Sequence, residues 1–415
     1  MSGTVTIAAM GHLGDGVAHV AGKPVHVPFA LPGEVVRPGE PAEILTRSPD
    51  RVTPVCRHFG TCGGCRLQHW APDAVARWKR ELVIAALERE GVAAEVGETV
   101  TVPVAARRRA AFALGRMGNE TVFGFRERAG HRIVDVADCP VLAPRLAAAL
   151  PDLRAALSPL APPLSGKGRG RTASGAAGVT VLLTETGLDI AVTGARRDAL
   201  TAKTIARFAD DAVRLGWARL TVDGELVAQT QPPVLSIGPL RIVPPPGAFV
   251  QATVEAEAAL WAVAQTGLAK AKRVADLFSG IGTFTARALP LAAVHAVEGE
   301  GEALAALEAA ARGVPGVKPL TVERRDLVQR PLAGAELKKF DTVILDPPRA
   351  GAEAQARALA ESKVRTVVSI SCNPVTFARD VRILIDGGYR IGPVTPVDQF
   401  RFAPHVEVAA MLSRR

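Results

Sequence analysis

Cys372 stands directly after an apolar run, in RTVVSISCNP, between polar Ser371 and Asn373. A cysteine beside buried strands is often a small apolar filler. Set at the open end of a strand among polar neighbours, it can instead serve as a nucleophile, the reactive form being the thiolate. The chain closes with YRIGPVTPVDQF, RFAP and HVEVAAML, a pattern that predicts two strands and a turn. If the last strand runs antiparallel to the strand before Cys372, its start lies at that strand's end. Glu407, two residues inside this start, then reaches Cys372. A nucleophile and a carboxylate base at one edge can add to a ring carbon and afterwards remove a proton.

A second group of residues suits a cofactor. KRVADLFSGIGTFTARAL reads as strand, glycine turn and helix, with Gly280 and Gly282 leaving room for a ligand against the backbone. The third glycine of the dinucleotide fingerprint is missing, its place taken by a threonine. Asp276, at the strand's end, suits an ammonium better than a pyrophosphate. These features favour S-adenosylmethionine over NAD. The following strand ends at Glu298, 22 residues after Asp276, where a carboxylate can accept hydrogen bonds from ribose hydroxyls. Further strands end at Asp326, at Asp346 in ILDPPR, and at Cys372. Ligands of open α/β sheets bind outside the carboxyl ends of the strands, so five strand ends converge on one site. An ordinary strand-terminating acid explains any one of them and explains the set poorly. With a methyl donor between a thiolate and a base, uracil carbon 5 is the fitting target: it is a poor nucleophile until something adds at carbon 6. Exocyclic amine methylation needs no such adduct and typically uses an aromatic residue where this loop has Arg349.

Four more cysteines, Cys56, Cys62, Cys65 and Cys139, follow the spacing C-x5-C-x2-C and then 73 residues before the last. Four thiolates fit zinc or an iron–sulfur cluster, and spacing alone does not choose between them. An odd count of five cysteines, in a chain whose start has no basic or apolar leader pattern, argues against a disulfide framework and for the cytoplasm.

The elements that must hold these groups follow from composition and periodicity. The chain has 415 residues, enough for two or three domains. With 48% hydrophobic and 22% charged residues, it has the makings of a large core. No apolar run approaches the length of a membrane span. Lysine and arginine number 50 against 41 acids, a net +9 that mildly favours a polyanionic partner. Only 4% of residues are aromatic, with Tyr389 the sole tyrosine, against a stacking-rich RNA surface. The first fifty residues read as short strands between glycine turns, a small β-barrel or the edge of a larger β unit. Pro72 and Asp73 open a helix that Gly91 ends. Strands dominate from 100 to 137 with arginines at 107, 108, 109, 116, 126, 128 and 132. Residues 143–177 read as a mobile connection after a short helix, with a basic tip in SGKGRGRTAS. From about 250 strands alternate with helices, the pattern of a parallel sheet covered on both faces.

Taken together, DLFSGIGTF, ILDPPRAG, SISCNP and APHVEVAAML resemble the RNA uracil-5-methyltransferases. CRHFGTCGGCRLQHW with ADCPVL is similar to the [4Fe–4S] site of the ribosomal branch of that family, and GHLGDGVAHVAGKPVHVPFALPGE to a TRAM domain. The resemblance implies an α/β fold in three parts. Residues 1–50 would be a TRAM, OB-like RNA-binding barrel. Residues 51–248 would be a central, mainly antiparallel β domain with the iron–sulfur site. Residues 249–415 would be a Rossmann-like class I methyltransferase domain. It implies Cys372 as nucleophile and Glu407 as proton acceptor. It implies Gln251, Phe278, Thr283, Glu298, Asp326 and Asp346 as the S-adenosyl-L-methionine site, and a [4Fe–4S] cluster on Cys56, Cys62, Cys65 and Cys139. Members of the family often carry Asn where this chain has Thr283 and Asp326. The implied partner is RNA, 23S ribosomal RNA first and transfer RNA second, bound by a monomer. A retired, non-catalytic RNA-binding protein on the same fold is the rival from another class.

Overall fold

The computed structural model describes residues 3–39, 41–128, 130, 132–164 and 175–414. Its largest sheet contains β1 (Arg273–Leu277), β2 (Ala293–Glu298), β3 (Leu320–Arg324), β4 (Thr342–Leu345), β5 (Thr366–Ser371), β6 (Arg390–Asp398) and β7 (Glu407–Ser413). The strand order is β3-β2-β1-β4-β5-β7-β6, and Val100–Thr101 pairs with β6 as an eighth strand. β1 to β5 are parallel, while β7 runs antiparallel to both β5 and β6. Alternate residues of one strand enter different cores, as a period of two requires. Ala275, Leu277, Val343, Leu345 and Val367 face the helices Pro72–Arg89, Glu353–Ala360 and Pro374–Asp386. Val274, Ile344, Val368 and Ile370 face Val254–Leu268, Thr283–Ala288 and Gly301–Ala311. Burial on both faces explains why these strands read as continuous apolar runs.

The order of the sheet reverses between β1 and β4, the switch point at which a ligand crevice opens beyond the carboxyl ends. The antiparallel β7 brings its first residue to that same edge.

The middle of the chain forms a seven-stranded sheet in the order Ile133–Asp135, Glu120–Arg126, Arg109–Met117, Ala177–Leu183, Leu188–Thr193, Trp217–Val222, Glu225–Gln229. Among the described strands of this sheet only Leu188–Thr193 and Trp217–Val222 pair in parallel, bridged by the helix Ala202–Leu215. That helix is amphipathic, capped by Thr201 and stopped by Gly216 in the left-handed region. The mobile connection expected over 143–177 is folded at its start. Pro144–Ala148 and Leu150–Leu157 are helices whose Leu146, Leu150, Leu153 and Leu157 sit in the core of this sheet. The alanine and proline content that suggested a linker is helix-forming once leucines recur every three or four residues. The basic tip Ser165–Ser174 lies outside the described residues.

Residues 3–46 make two three-stranded antiparallel sheets around Ile7, Ala18, Val27, Ala30 and Val36. The helix from Pro72 ends at Arg89, with Gly91 at φ 65° just beyond, as expected. Val83, Ala86 and Leu87, followed by Val92 and Val96, join the core of the large sheet. Residues 83–101 are thus built into the C-terminal unit although they precede the central sheet in sequence.

Candidate active site

The register Ser371↔Val408 between β5 and β7, continued by one residue, sets Cys372 opposite Glu407 across neighbouring antiparallel strands. Glu407 is 4% exposed, and Cys372 is partly open to solvent. Glu407 is the first residue of its strand rather than the third, because His405 and Val406 lie outside the strand, after the turn. Asn373 caps the next helix, its side chain accepting from Val375 N at 3.1 Å, and donates through Nδ2 to the Arg349 carbonyl. That bond ties the loop after β5 to the DPPR loop after β4. Arg349, Cys372, Asn373 and His405 line a cavity of about 140 Å³ that His12 and Arg89 also border. The last two come from the N-terminal segments and carried no signal in the sequence.

The electrostatics of this edge are unfavourable to charge. Burial pushes Glu407 up from 4.5 to about 7. Burial, with the charges of Glu407 and Asp276, holds Asp346 well above the carboxylate range. Cys372 is pushed up to about 11 by burial and by Glu407 and Asp346, against a weaker pull from Arg349. Three acids and a thiol therefore share one largely buried edge, where each proton lost makes the next harder to lose.

The glycine turn after β1 is held by Glu298, whose Oε2 accepts from Gly280 N at 2.9 Å. Its Oε1 accepts from Gly299 N and Glu300 N. Gly282 lies at φ 90°, and a Cβ there would stand 2.4 Å from Leu307 Cδ1, so the position requires glycine. Phe278 takes the left-handed φ of 61° between strand and turn. Asp276 is fully buried. Its Oδ2 accepts from Thr285 Oγ1 at 2.6 Å, while Oδ1 has no partner. The Ser279 hydroxyl is also buried without a partner. Two orphaned polar atoms beside an open turn fit a polar ligand carrying an ammonium and a carboxylate.

Of the residues expected in the cofactor site, Phe278, Thr283, Glu298 and Asp346 border the carboxyl edge between β2, β1 and β4. Gln251, 4% exposed, comes to the same edge from the segment before β1. Thr283 is the first residue of its helix; it is Thr285, the threonine at the place of the third glycine and not among the expected cofactor residues, that bonds to Asp276. Asp326 is exposed, and its Oδ1 caps the turn after β3 by accepting from Val328 N and Gln329 N. Sequence also missed Gln399. Buried after β6, it accepts from Ala252 N and donates to Gln251 Oε1 and Glu407 Oε1, both at 2.9 Å.

The arginine run turns mostly inward, where it meets carbonyls and carboxylates of the protein. Arg108 pairs with Glu257 at 2.7 Å, and Arg109 donates to the carbonyls of Ala248 and Gly247. Arg116 donates to Ser158 O, Arg128 pairs with Asp15 while lying over Phe29, and Arg132 pairs with Glu127. Arg107 packs over Phe400 and faces Cys65 and Cys139. These arginines staple the segments together. A count of charges cannot tell a staple from a phosphate ligand.

Cys56, Cys62, Cys65 and Cys139 line one cavity of about 290 Å³ together with His58 and Arg107. His58 N and Gly64 N donate to the sulfurs of Cys56 and Cys62. Burial and the neighbouring sulfurs push Cys65 up to about 12. Among the described residues no three His, Cys, Asp or Glu side chains are grouped as ligands of a single ion. No described helix is long and apolar enough to cross a membrane.

Comparison with known proteins agrees with this architecture. The family described as tRNA (Uracil-5-)-methyltransferase matches residues 321–415, from β3 to the end of the chain. An uncharacterized RNA methyltransferase of Brucella suis biovar 1 is 45% identical over 100% of this chain and 98% of its own. The 23S rRNA (uracil(1939)-C(5))-methyltransferase RlmD of Chromohalobacter salexigens is 34% identical, over 99% of this chain and 89% of its own. Among solved structures, the tRNA (uracil-54, C5)-methyltransferase of Pyrococcus abyssi, in complex with S-adenosyl-L-homocysteine, superposes with a TM-score of 0.73. It covers 99% of this chain and 100% of its own at 23% identity, a likeness of fold. The chain belongs to the RNA uracil-5-methyltransferase family. It is an RNA methyltransferase, with S-adenosyl-L-methionine as methyl donor.

Proposed function

We infer that this enzyme methylates carbon 5 of a uridine in 23S ribosomal RNA through a covalent Cys372–uracil adduct that Glu407 resolves. The observation that carries the reading is the pairing of Cys372 with Glu407 at the carboxyl edge of the sheet, beside the cavity under Arg349. The ribosomal substrate is favoured by the full-length likeness to the 23S enzyme and by the four-cysteine site.

In the reaction, the Cys372 thiolate forms a bond to uracil carbon 6, and the displaced π electrons make carbon 5 an enolate carbon. When bound, S-adenosyl-L-methionine supplies the electrophilic methyl group that carbon 5 accepts. Glu407 then takes the carbon 5 proton, the carbon 5–carbon 6 double bond re-forms, and the sulfur leaves as thiolate. The proton passes from Glu407 to solvent. A base whose pKa lies near 7 is matched to this task at neutral pH. Gln251, Phe278, Thr283, Glu298 and Asp346 would hold the methyl donor, with Asp276 Oδ1 as the unfilled acceptor for its ammonium. Asp326, spent on its own turn, is the weakest of the proposed contacts.

The four-cysteine cavity is read as a [4Fe–4S] site. Four sulfurs around a cavity, not closing on a point, suit a bulky cluster better than one zinc ion, and the Arg107 cation and two N–H donors offset the charge of thiolates. The two small sheets of residues 3–46 are read as a TRAM, OB-like RNA-binding barrel. Residues 51–248 would form the central RNA-binding domain, apart from the stretch 83–101. Five free cysteines suit a cytoplasmic enzyme.

The test is methyl transfer to unmodified ribosomal and transfer RNA, with nucleosides resolved by mass spectrometry and metal content measured on the same preparation. The reading expects 5-methyluridine in 23S RNA and about four irons per chain. N-methylated nucleosides, or 5-methyluridine only in transfer RNA, would overturn the substrate assignment; stoichiometric zinc would overturn the cluster.

A further inference from the structure

Gln399 is 3% exposed and makes three hydrogen bonds whose directions are fixed by chemistry. Ala252 N–H can only donate, so the carboxamide end 3.1 Å away is the oxygen. The other end is then the nitrogen, and both of its hydrogens are engaged, one to Glu407 Oε1 and one to Gln251 Oε1, each at 2.9 Å. A flipped amide would put donor against donor at Ala252 and oxygen against oxygen at the other two contacts. The same logic orients Gln251, whose oxygen is taken and whose nitrogen is turned away from Gln399. The backbone on either side is held by Lys79, buried on the helix Pro72–Arg89, with Nζ 2.5 Å from Asp398 Oδ1 and 3.3 Å from Phe400 O. Arg66 N and Leu67 N both donate to Phe402 O just beyond. Nothing about Gln399 is left to rotate.

We propose that Gln399 is a positioning residue of the reaction: one carboxamide nitrogen holds the Glu407 carboxylate as proton acceptor and fixes the amide of Gln251, joining the base to the cofactor side of the site. This rests on the uracil carbon 5 reading above. The hydrogen bond leaves Glu407 Oε2 as the free oxygen for the proton.

The charged surroundings give this contact a second effect. Asp346 after β4, Asp276 at the end of β1 and Cys372 after β5 face the same edge as Glu407. Behind it the Lys79–Asp398 pair is closed on itself. Arg108 is spent on Glu257 of the helix Val254–Leu268 and on the Gln251 carbonyl. Gln399 is the donor that favours the ionised Glu407 against its burial. A hydrogen bond to a charged group is commonly worth about one pH unit or somewhat more.

The experiment uses the full-length enzyme with 23S RNA fragment and S-adenosyl-L-methionine in single turnovers from pH 6 to 9. It follows the protein–RNA adduct on denaturing gels together with 5-methyluridine. Gln399→Met keeps the size and removes the donor; Gln399→Glu keeps the size and sets a second acid against Glu407. Gln399→Met is expected to form adduct and to resolve it about tenfold more slowly below pH 7. Its resolution rate should recover at high pH, along a curve displaced by about one pH unit, with Gln399→Glu displaced further in the same direction. A purely structural role would lower the amount of active enzyme at every pH without moving the curve. Curves for both variants that superpose on the wild type after scaling would overturn the proposal. So would a wild type that makes 5-methyluridine while neither variant forms adduct at any pH. A wild type that makes no 5-methyluridine would instead overturn the underlying reading, and this inference with it.

Discussion

Replacing Glu407 by Gln should stabilise the fold above neutral pH while it disables the enzyme. Glu407 is 4% exposed, and burial raises it from an ordinary value of 4.5 to about 7. Between those two values the folded chain still holds a proton that the unfolded chain has released. The contribution of this group to stability is therefore intact below about pH 4.5, falls as pH rises, and is fully lost above about pH 7. At about 1.4 kcal/mol for each pH unit, the carboxylate costs roughly 3 kcal/mol at pH 8. Gln has the same shape and no charge to bury. Its oxygen can accept from Gln399 Nε2 as Glu407 Oε1 does, and removing the charge also relieves Asp346. Urea unfolding followed by tryptophan fluorescence, at intervals from pH 5 to 9, gives the comparison. The midpoints of wild type and Glu407→Gln should lie nearest each other at pH 5, separate as pH rises to about 7 and stay apart above it, the variant ending more resistant. Parallel curves, or a variant that loses stability as pH rises, would refute the assignment of Glu407 as a carboxylate buried at a cost.

Lys79→Met leaves Asp398 buried without its cation and should cost about 3–5 kcal/mol, with Lys79→Met/Asp398→Leu recovering most of it; urea midpoints of the three chains test this. Cys372, pushed up to about 11, should alkylate with iodoacetamide far more slowly at pH 7.5 than an ordinary thiol, at a rate that climbs toward pH 11. Peptide mass spectrometry isolates this site, and rapid alkylation at neutral pH would contradict the free-enzyme electrostatics. Gly282→Ala, strained at φ 90° and driven into Leu307, should lose about 1–3 kcal/mol and most S-adenosyl-L-methionine affinity. Gly280→Ala, with open space beyond its Cβ, should cost about 1 kcal/mol, and equal losses in thermal melting and cofactor titration would contradict that distinction.

What sequence conveyed about this molecule tracks what each signal physically encodes. Apolar runs of strand length between amphipathic helices encode burial on both faces, so the parallel sheet from residue 273 onward was legible, as was the antiparallel return that brings Glu407 to Cys372. Glycines at 280 and 282 encode backbone freedom, and both sit at positive φ. Arginine encodes only charge; its partner is set by folding, and Arg108, Arg109 and Arg116 proved to be spent on interior carbonyls and carboxylates. Lys79 carries no local signal of burial, because the acid that neutralises it lies 319 residues further on. Gln399 and Gln251, 148 residues apart, carried no pattern that could pair them. Composition after 143 suggests a short helix and then a connection, whereas the spacing of the leucines encodes helix as far as Leu157. Single polar residues brought together over long separations are invisible to local pattern, and they furnish much of this site.

The central claim concerns a bond between Cys372 and a pyrimidine ring. RNA bearing 5-fluorouridine at the target position has no removable proton at carbon 5, so a covalent enzyme should remain attached to it. Incubated with S-adenosyl-L-methionine, the wild type is expected to yield a denaturation-resistant protein–RNA complex whose cross-linked peptide contains Cys372, and Cys372→Ala should yield neither that complex nor 5-methyluridine on natural RNA while still binding S-adenosyl-L-methionine. Normal 5-methyluridine from Cys372→Ala would contradict the account.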